Sequence, residues 1–338
     1  CSARKVTNEG RGPVSELSAQ LHNGIAKGSF VVFGRAGMDL YADPIGVKAE
    51  FGENFRADLG GSSANICAGL CKLGMQAALV TSLSDDTVAR FIRNKLIQYG
   101  VDVGHIRTLA GEYRSSLAVY ESVMEDFQVC IYRNNAVDFQ VTPEDVADID
   151  YGRFGALVTA GTVFAAEPSR SATFAAFDLA EKAGVPIIFD IDYRPYSWPS
   201  PEVAADVLTR AADASAMIVG NDEEFGFMAG AYERGLDAAR GLAARGKLVI
   251  YKMGAEGAIT MTGDQEFRTG TYPATPLKPV GAGDSFMAAT LAALANGASL
   301  ADAVDQGAAA AAITVSHPGC AGAMPDRATL SQFIEIHQ

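Results

Sequence analysis

A chain of 338 residues with 49% hydrophobic and 20% charged side chains can build one large α/β domain or two smaller ones, with the balance of an ordinary globular protein. Its 40 acidic residues outnumber 27 basic ones, giving a net charge of −13 without a basic patch, so nucleic acid and anionic membrane are excluded as expected partners. No apolar run reaches transmembrane length, and the cytoplasm is the expected compartment.

In chain order, residues 1–28 are polar, lack an apolar signal core and read as a tail ahead of a single domain over 29–338. From there, apolar β-branched runs alternate with helical patterns. The pattern predicts strands at 30–34, 77–82, 157–160, 186–190, 217–220 and 247–253. Helices are expected near 63–72, 85–99, 171–183, 202–212, 235–245 and 285–295. Continuous apolar strands separated by helices imply a parallel sheet covered on both faces. Two segments break the rhythm. Residues 43–57 are short, polar and glycine-containing, and 115–120 and 127–133 read as two strands joined by a turn at Met124-Glu125-Asp126. Segments 43–57 and 115–137 are therefore expected to form a small β-sheet lid. Its exposed edges could pair with a second copy in a homodimer through the lid, or form surface hairpins with no role. The five cysteines are scattered. Cys67 and Cys71 lie four apart in an apolar helix pattern with no histidine nearby, and read as core thiols.

Ligands of a doubly wound sheet bind beyond the carboxyl ends of its strands, so the residues that follow each strand matter most. These are Gly34-Arg35 through Asp39, Asp190-Ile191-Asp192-Tyr193-Arg194, Asn221 through Glu224, and Lys252 with Gly254 and Gly257. Asp39 suits sugar hydroxyls. Gly60-Gly61, ahead of a helix containing Asn65, would let a ligand approach the backbone, or simply make a strand-to-helix turn. Asn221 and Glu224 lie one turn apart and suit a hydrated Mg²⁺ near phosphates, or a helix cap with acids in its first turn. Lys252 could reach a phosphate or sit at a strand end. Arg35, Arg133 and Arg194 are three potential anion ligands or three surface salt bridges.

The richest stretch is Pro279-Val280-Gly281-Ala282-Gly283-Asp284-Ser285-Phe286. A small-residue turn opening a helix presents backbone N–H groups to an anion. A carboxylate beside such a nest repels the anion unless it serves chemistry, and Asp284 fits a base that takes a proton from a hydroxyl attacking a phosphoryl group. The competing reading is a tight turn with Asp284 as cap. Two decoys fail. Residues 241–248 approach a P-loop, but Leu248 stands where Ser or Thr is needed and a strand follows. Gly281-Ala282-Gly283 lacks the third glycine of a dinucleotide fingerprint and lies late in the chain, which argues against a nicotinamide oxidoreductase.

Gly60-Gly61-Ser-Ser-Ala-Asn65 and Gly281-Ala282-Gly283-Asp284 together resemble the two signatures of the ribokinase-like (phosphofructokinase-B type) sugar kinases, over nearly the whole chain. The resemblance implies a Rossmann-like three-layer α/β fold, a mostly parallel central sheet flanked by helices, a small β lid, and ATP and Mg²⁺ as cofactors. It leaves a monovalent cation open. It implies that Asp284 is the base and that Gly281, Ala282 and Gly283 form the anion hole. Asp39, Gly60, Gly61 and Asn65 would bind sugar, and Asn221 and Glu224 would influence Mg²⁺ through water. Lys252, Gly254 and Gly257 would lie near the nucleotide, with adenine between them and the helix around Ala309. Lys278-Pro279-Val280 departs from the Asp-Thr that many members carry there. The segments containing Arg35, Arg133 and Arg194 are similar to those of the 5-dehydro-2-deoxygluconate kinases of inositol catabolism, which implies a keto-deoxy sugar acid as substrate. The rivals are 2-keto-3-deoxygluconate kinase, then fructokinase or ribokinase, and, in a different class, a non-catalytic sugar-acid sensor.

Overall fold

The strands are β1 (Ser29–Phe33), β2 (Gly37–Asp43), β3 (Asn54–Gly60), β4 (Gln76–Ser84), β5 (Ile106–Leu109), β6 (Ser116–Tyr120), β7 (Val129–Tyr132), β8 (Ala156–Ala160), β9 (Ile187–Asp190), β10 (Met217–Asn221), β11 (Leu248–Lys252), β12 (Ala258–Thr262) and β13 (Gln265–Thr269). The helices are α1 (Ala19–Ile25), α2 (Ser62–Lys72), α3 (Thr87–Gln98), α4 (Pro143–Ala147), α5 (Ser169–Lys182), α6 (Pro201–Ala214), α7 (Asp222–Met228), α8 (Gly235–Ala244), α9 (Ala282–Ala295), α10 (Leu300–Val315) and α11 (Arg327–His337). This computed structural model describes residues 17–121, 126–277 and 280–337. Met124 and Glu125 of the expected lid turn, and Lys278-Pro279, lie outside the described residues.

Nine strands form the main sheet in the order β13-β12-β11-β10-β9-β8-β1-β4-β5, parallel from β11 to β5 and antiparallel at the β12 and β13 edge. Both faces are covered, as the unbroken apolar runs require. β1 sends Val31 and Phe33 into the core under α5, α6 and α8, and Phe30 and Val32 into the core under α1, α2, α9 and α10. Period-two alternation thus feeds two hydrophobic layers, each excluding water from one face of the sheet. From β1 the chain runs to β4 on one side, whereas β8, β9 and β10 extend the sheet on the other. The carboxyl ends of β1 and β8 therefore flank a topological switch, where open α/β sheets hold their ligands.

A second sheet, β3-β2-β6-β7, stands over this crevice. It is larger than the sequence suggests: β2 and β3 pair antiparallel from Gly37↔Gly60 to Asp43↔Asn54, so Asp39 itself lies on a lid strand. Its inner aromatics pack down onto the body, with Tyr41 and Tyr120 stacked at 4.9 Å beside buried Cys320. Asp58 on β3 clamps the loop after α10, accepting backbone N–H bonds from Cys320 (3.0 Å) and Gly322 (3.1 Å). Other elements depart from expectation, among them a hairpin and a helix. The β12–β13 hairpin extends the main sheet where no strands were expected. The stretch assigned to a tail contains α1, whose Leu21 and Ile25 are buried in the core. Cys67 is buried in the same core, as expected of a packing thiol. Among the described residues, no helix is long and apolar enough to cross a membrane.

Candidate active site

Two glycine turns meet at the switch. Gly61 precedes α2 at φ +94°, and a methyl there would lie 2.5 Å from the Arg35 carbonyl oxygen. Gly281 precedes α9 at φ +86°, and a methyl there would meet Cys320 Sγ at 3.1 Å. The positive φ demands glycine at both positions, and at Gly61 the backbone contact demands it as well. The turns bring the first turns of α2 and α9 together. Ser62 Oγ donates to Asp284 Oδ1 at 2.6 Å, and Asn65 Nδ2 donates to Asp284 Oδ2 at 2.8 Å. The N-cap of α9 is Gly281, and both Asp284 oxygens face partners more than 200 residues away in sequence, so Asp284 is not a cap. Burial and the charge of Asp192 push its carboxyl up to about 6, against the two hydrogen bonds, which favour the charged form. The carboxylate is thus fixed in direction, aimed past a helix N-terminus, and basic enough to accept a proton near neutral pH.

On the lid side, Asp39 is almost fully buried. Tyr41 Oη donates to its Oδ2 at 3.3 Å, while Oδ1 has no partner, and Asn65 Oδ1 is likewise buried and unpartnered. Desolvation pushes the Asp39 carboxyl up to about 7 although Arg35 opposes it. Unmet acceptors at a cleft suit a ligand's hydroxyl groups. Gly60 lies on the neighbouring strand β3, opposite Gly37, and any side chain there would overlap the Asp39 carboxylate.

Beyond Asp284 the acids and bases interleave. Arg194 Nη2 pairs with Asp192 at 2.6 Å, and its Nη1 lies 4.0 Å from Glu224. Lys252 Nζ is 3.9 Å from Asp190 Oδ1, and a methyl on Gly283 would lie 3.4 Å from that ammonium. Asn221 and Glu224 form a capping box at the start of α7, each accepting from the other's backbone N–H at 2.8 Å. The cap reading therefore holds, yet it occupies only Glu224 Oε2. Burial pushes the Glu224 carboxyl up to about 7, with Lys252 pulling it down.

These groups share one cavity of about 820 Å³. Its wall carries Arg35, Asp39, Gly61, Asn65, Arg194, Asn221, Glu224, Lys252, Gly254, Gly257 and all of Gly281 to Asp284. Three expected residues are off the wall. Gly60 acts from behind Asp39. Ala309 is fully buried against the core, and α10 presents Ala308, Ala311 and Ala312 instead. Arg133 is sealed away: its guanidinium stacks 4.0 Å over Phe139, bonds Asp138 Oδ2 and donates to the Thr162 carbonyl at 3.1 Å. Of the two readings for Arg133, it takes the salt bridge, and a buried one. Sequence reasoning missed Ser62, Tyr120 and Tyr196, which also line the cavity. For Ser62 the signal was present, since it lies one turn before Asn65 on the same helix face.

A family model described as "pfkB family carbohydrate kinase" matches residues 27–327. The chain belongs to the pfkB family of carbohydrate kinases. Among curated members of this family it is similar to the 5-dehydro-2-deoxygluconokinase of Geobacillus kaustophilus, at 36% identity over 315 residues, covering 91% of this chain and 94% of that one. The Photobacterium profundum enzyme of the same name is 35% identical, with 91% and 95% covered. Among solved pfkB structures, a PfkB protein from Polaromonas superposes with a TM-score of 0.77 at 26% identity, covering 90% of this chain and 99% of that one. A Vibrio cholerae fructokinase double mutant, solved with fructose, ADP and a potassium ion, gives 0.79 at 25% identity, with 90% and 98% covered. The protein is an ATP-dependent pfkB carbohydrate kinase with the ribokinase-like fold.

Proposed function

We propose that this kinase transfers the γ-phosphoryl group of ATP to the terminal hydroxyl of a keto-deoxy sugar acid, 5-dehydro-2-deoxygluconate. The observation that carries the reading is the Asp284 carboxylate, held from two sides by Ser62 and Asn65 at the mouth of the Gly281–Gly283 turn. The names of the most similar curated relatives support the acceptor.

In this account Asp39 and Asn65, with their unmet oxygens, take acceptor hydroxyls and set the terminal one against Asp284. Asp284 Oδ accepts that proton as the hydroxyl oxygen bonds to the γ-phosphorus and the bond to the β-phosphate oxygen breaks. The backbone N–H groups of the glycine turn and the positive end of α9 face the charge on the moving phosphoryl, each well-placed donor worth about 3–4 kcal/mol. Lys252, beside Gly283, adds a fixed cation on the nucleotide side. The small α10 face of half-buried Ala308 and Ala311 and buried Ala312 suits the flat adenine. The lid excludes water, which would otherwise take the phosphoryl group.

Among the described residues no cluster of three or more His, Cys, Asp and Glu side chains forms a metal cage. The donor set fits a Mg²⁺ that keeps its waters and binds mainly to phosphates, with Glu224 and Asn221 as outer partners. Such an ion would neutralise phosphate charge. The potassium ion bound by the Vibrio cholerae relative supports a monovalent cation as well. Use of ATP supports a cytoplasmic setting. The lid edges β3 and β7, which expose Phe55 and Tyr132, support a homodimer through the lid.

ADP release with MgATP and four acceptors (5-dehydro-2-deoxygluconate, 2-keto-3-deoxygluconate, fructose and ribose) tests the reading. The first is expected to show the highest kcat/KM, and a higher value for any other acceptor overturns the assignment.

The pH profile carries a second expectation. A base must be ionised, so kcat/KM falls as pH drops through the Asp284 value of about 6. Ser62 stabilises the charged form, so Ser62→Ala raises that value and moves the acid limb to higher pH. An unmoved limb in Ser62→Ala would assign it to another group.

A further inference from the structure

Building on the proposed acid acceptor, we infer that Arg35 is the residue that binds the acceptor's carboxylate and that makes the site reject neutral sugars. Three arginines stand near the sugar side of the cleft, and their partners separate them. The Arg133 guanidinium is buried against Asp138, Thr162 and Phe139 and does not reach the cavity. Arg194 reaches the cavity but is already paired with Asp192 at 2.6 Å and faces Glu224. Arg35 also reaches the cavity. Its guanidinium donates to the neutral Ser116 hydroxyl at 3.3 Å, and among the described residues it forms no ion pair with a carboxylate. Asp138, in its neighbourhood, already gives one oxygen to Arg133.

The placement matches the shape of the acceptor. In a 5-dehydro-2-deoxygluconate chain the carboxylate and the terminal hydroxyl are at opposite ends. Arg194 and Lys252 both lie in the field of Asp284, on the phosphoryl side. Arg35 lies in the field of Asp39 and Tyr120 of the lid sheet, and of Asp138. Gly37 leaves room for the Ser116 hydroxyl that holds this guanidinium, since a methyl there would lie 2.6 Å from Ser116 Oγ. Asp39 and Asp138 favour the charged form of Arg35 from a distance, but neither forms an ion pair with it, so its fork is open to two carboxylate oxygens. A neutral sugar would bind without the paired, charge-assisted hydrogen bonds of that fork, and this discriminates against fructose or ribose without any steric block.

The test compares each acid, 5-dehydro-2-deoxygluconate and 2-keto-3-deoxygluconate, with its uncharged primary amide, in the wild-type enzyme and in Arg35→Met and Arg35→Lys. The wild type is expected to prefer acid over amide on the order of 10²-fold in kcat/KM. In Arg35→Met, KM for the acid rises by about that factor, kcat moves far less, KM for ATP stays put, and the acid and amide become equivalent. Arg35→Lys recovers part of the preference. A wild type that uses amide and acid equally overturns the inference without any variant. An acid-specific wild type whose Arg35→Met keeps both its KM and its preference overturns it while leaving the acceptor assignment intact. A wild type active only on neutral sugars overturns both.

Discussion

Asp284→Asn is expected to fold, bind both substrates, and turn over on the order of 10²–10⁴-fold more slowly. The side chain is the same size, and the site can hold it. The amide oxygen accepts from Asn65 Nδ2 as Oδ2 does now, and the amide NH₂ donates to the Ser62 hydroxyl in place of the present bond. What disappears is the proton acceptor. KM for ATP and acceptor should therefore change little while kcat collapses, the pattern of a group that acts only as the transition state forms. A coupled ADP assay reads both constants. A kcat within a few-fold of wild type would remove Asp284 as the base.

Gly60→Ala carries the second large effect, through a different route. A β-carbon at Gly60 would sit 2.0 Å from Asp39 Oδ1 and 2.5 Å from Oδ2, so the carboxylate must leave its place. Asp39 is almost wholly buried, and the antiparallel register places it on the strand paired with Gly60's own. The overlap should cost about 1–3 kcal/mol in stability. The displaced Asp39 should lower kcat/KM for the acceptor about 10²-fold, with KM for ATP unaffected. Gly241 is the matched control. It lies inside α8 with nothing within 4 Å of a new methyl, so Gly241→Ala should raise stability by about 0.5–1 kcal/mol and leave kinetics alone. Equal behaviour of the two variants in thermal unfolding and acceptor kinetics would contradict this account of the Asp39 pocket.

The parts of the molecule legible in the sequence are those encoded locally. The strands β1, β8, β9, β10 and β11 read correctly because burial on both faces forces continuous apolar runs. The glycine turns read correctly because positive φ leaves a mark in composition. β2 escaped because a buried acid, Asp39, interrupts its apolar pattern. The β12–β13 hairpin escaped because its outer strand β13 is mostly exposed and carries no apolar run. The site's internal wiring was out of reach for a further reason. Ser62 and Asn65 meet Asp284 across 222 and 219 residues, and no local pattern reports such a contact. The same holds for the three arginines, which are alike in sequence. They differ in their partners, with Asp138 pairing with Arg133, Asp192 with Arg194, and the neutral Ser116 hydroxyl with Arg35.

The most direct measurement is phosphorus NMR of the wild-type enzyme with MgATP and 5-dehydro-2-deoxygluconate. The account predicts one new phosphomonoester, coupled to the protons of the terminal carbon and formed in step with ADP. ATP consumed to inorganic phosphate without an ester, or an ester on another carbon, would contradict it.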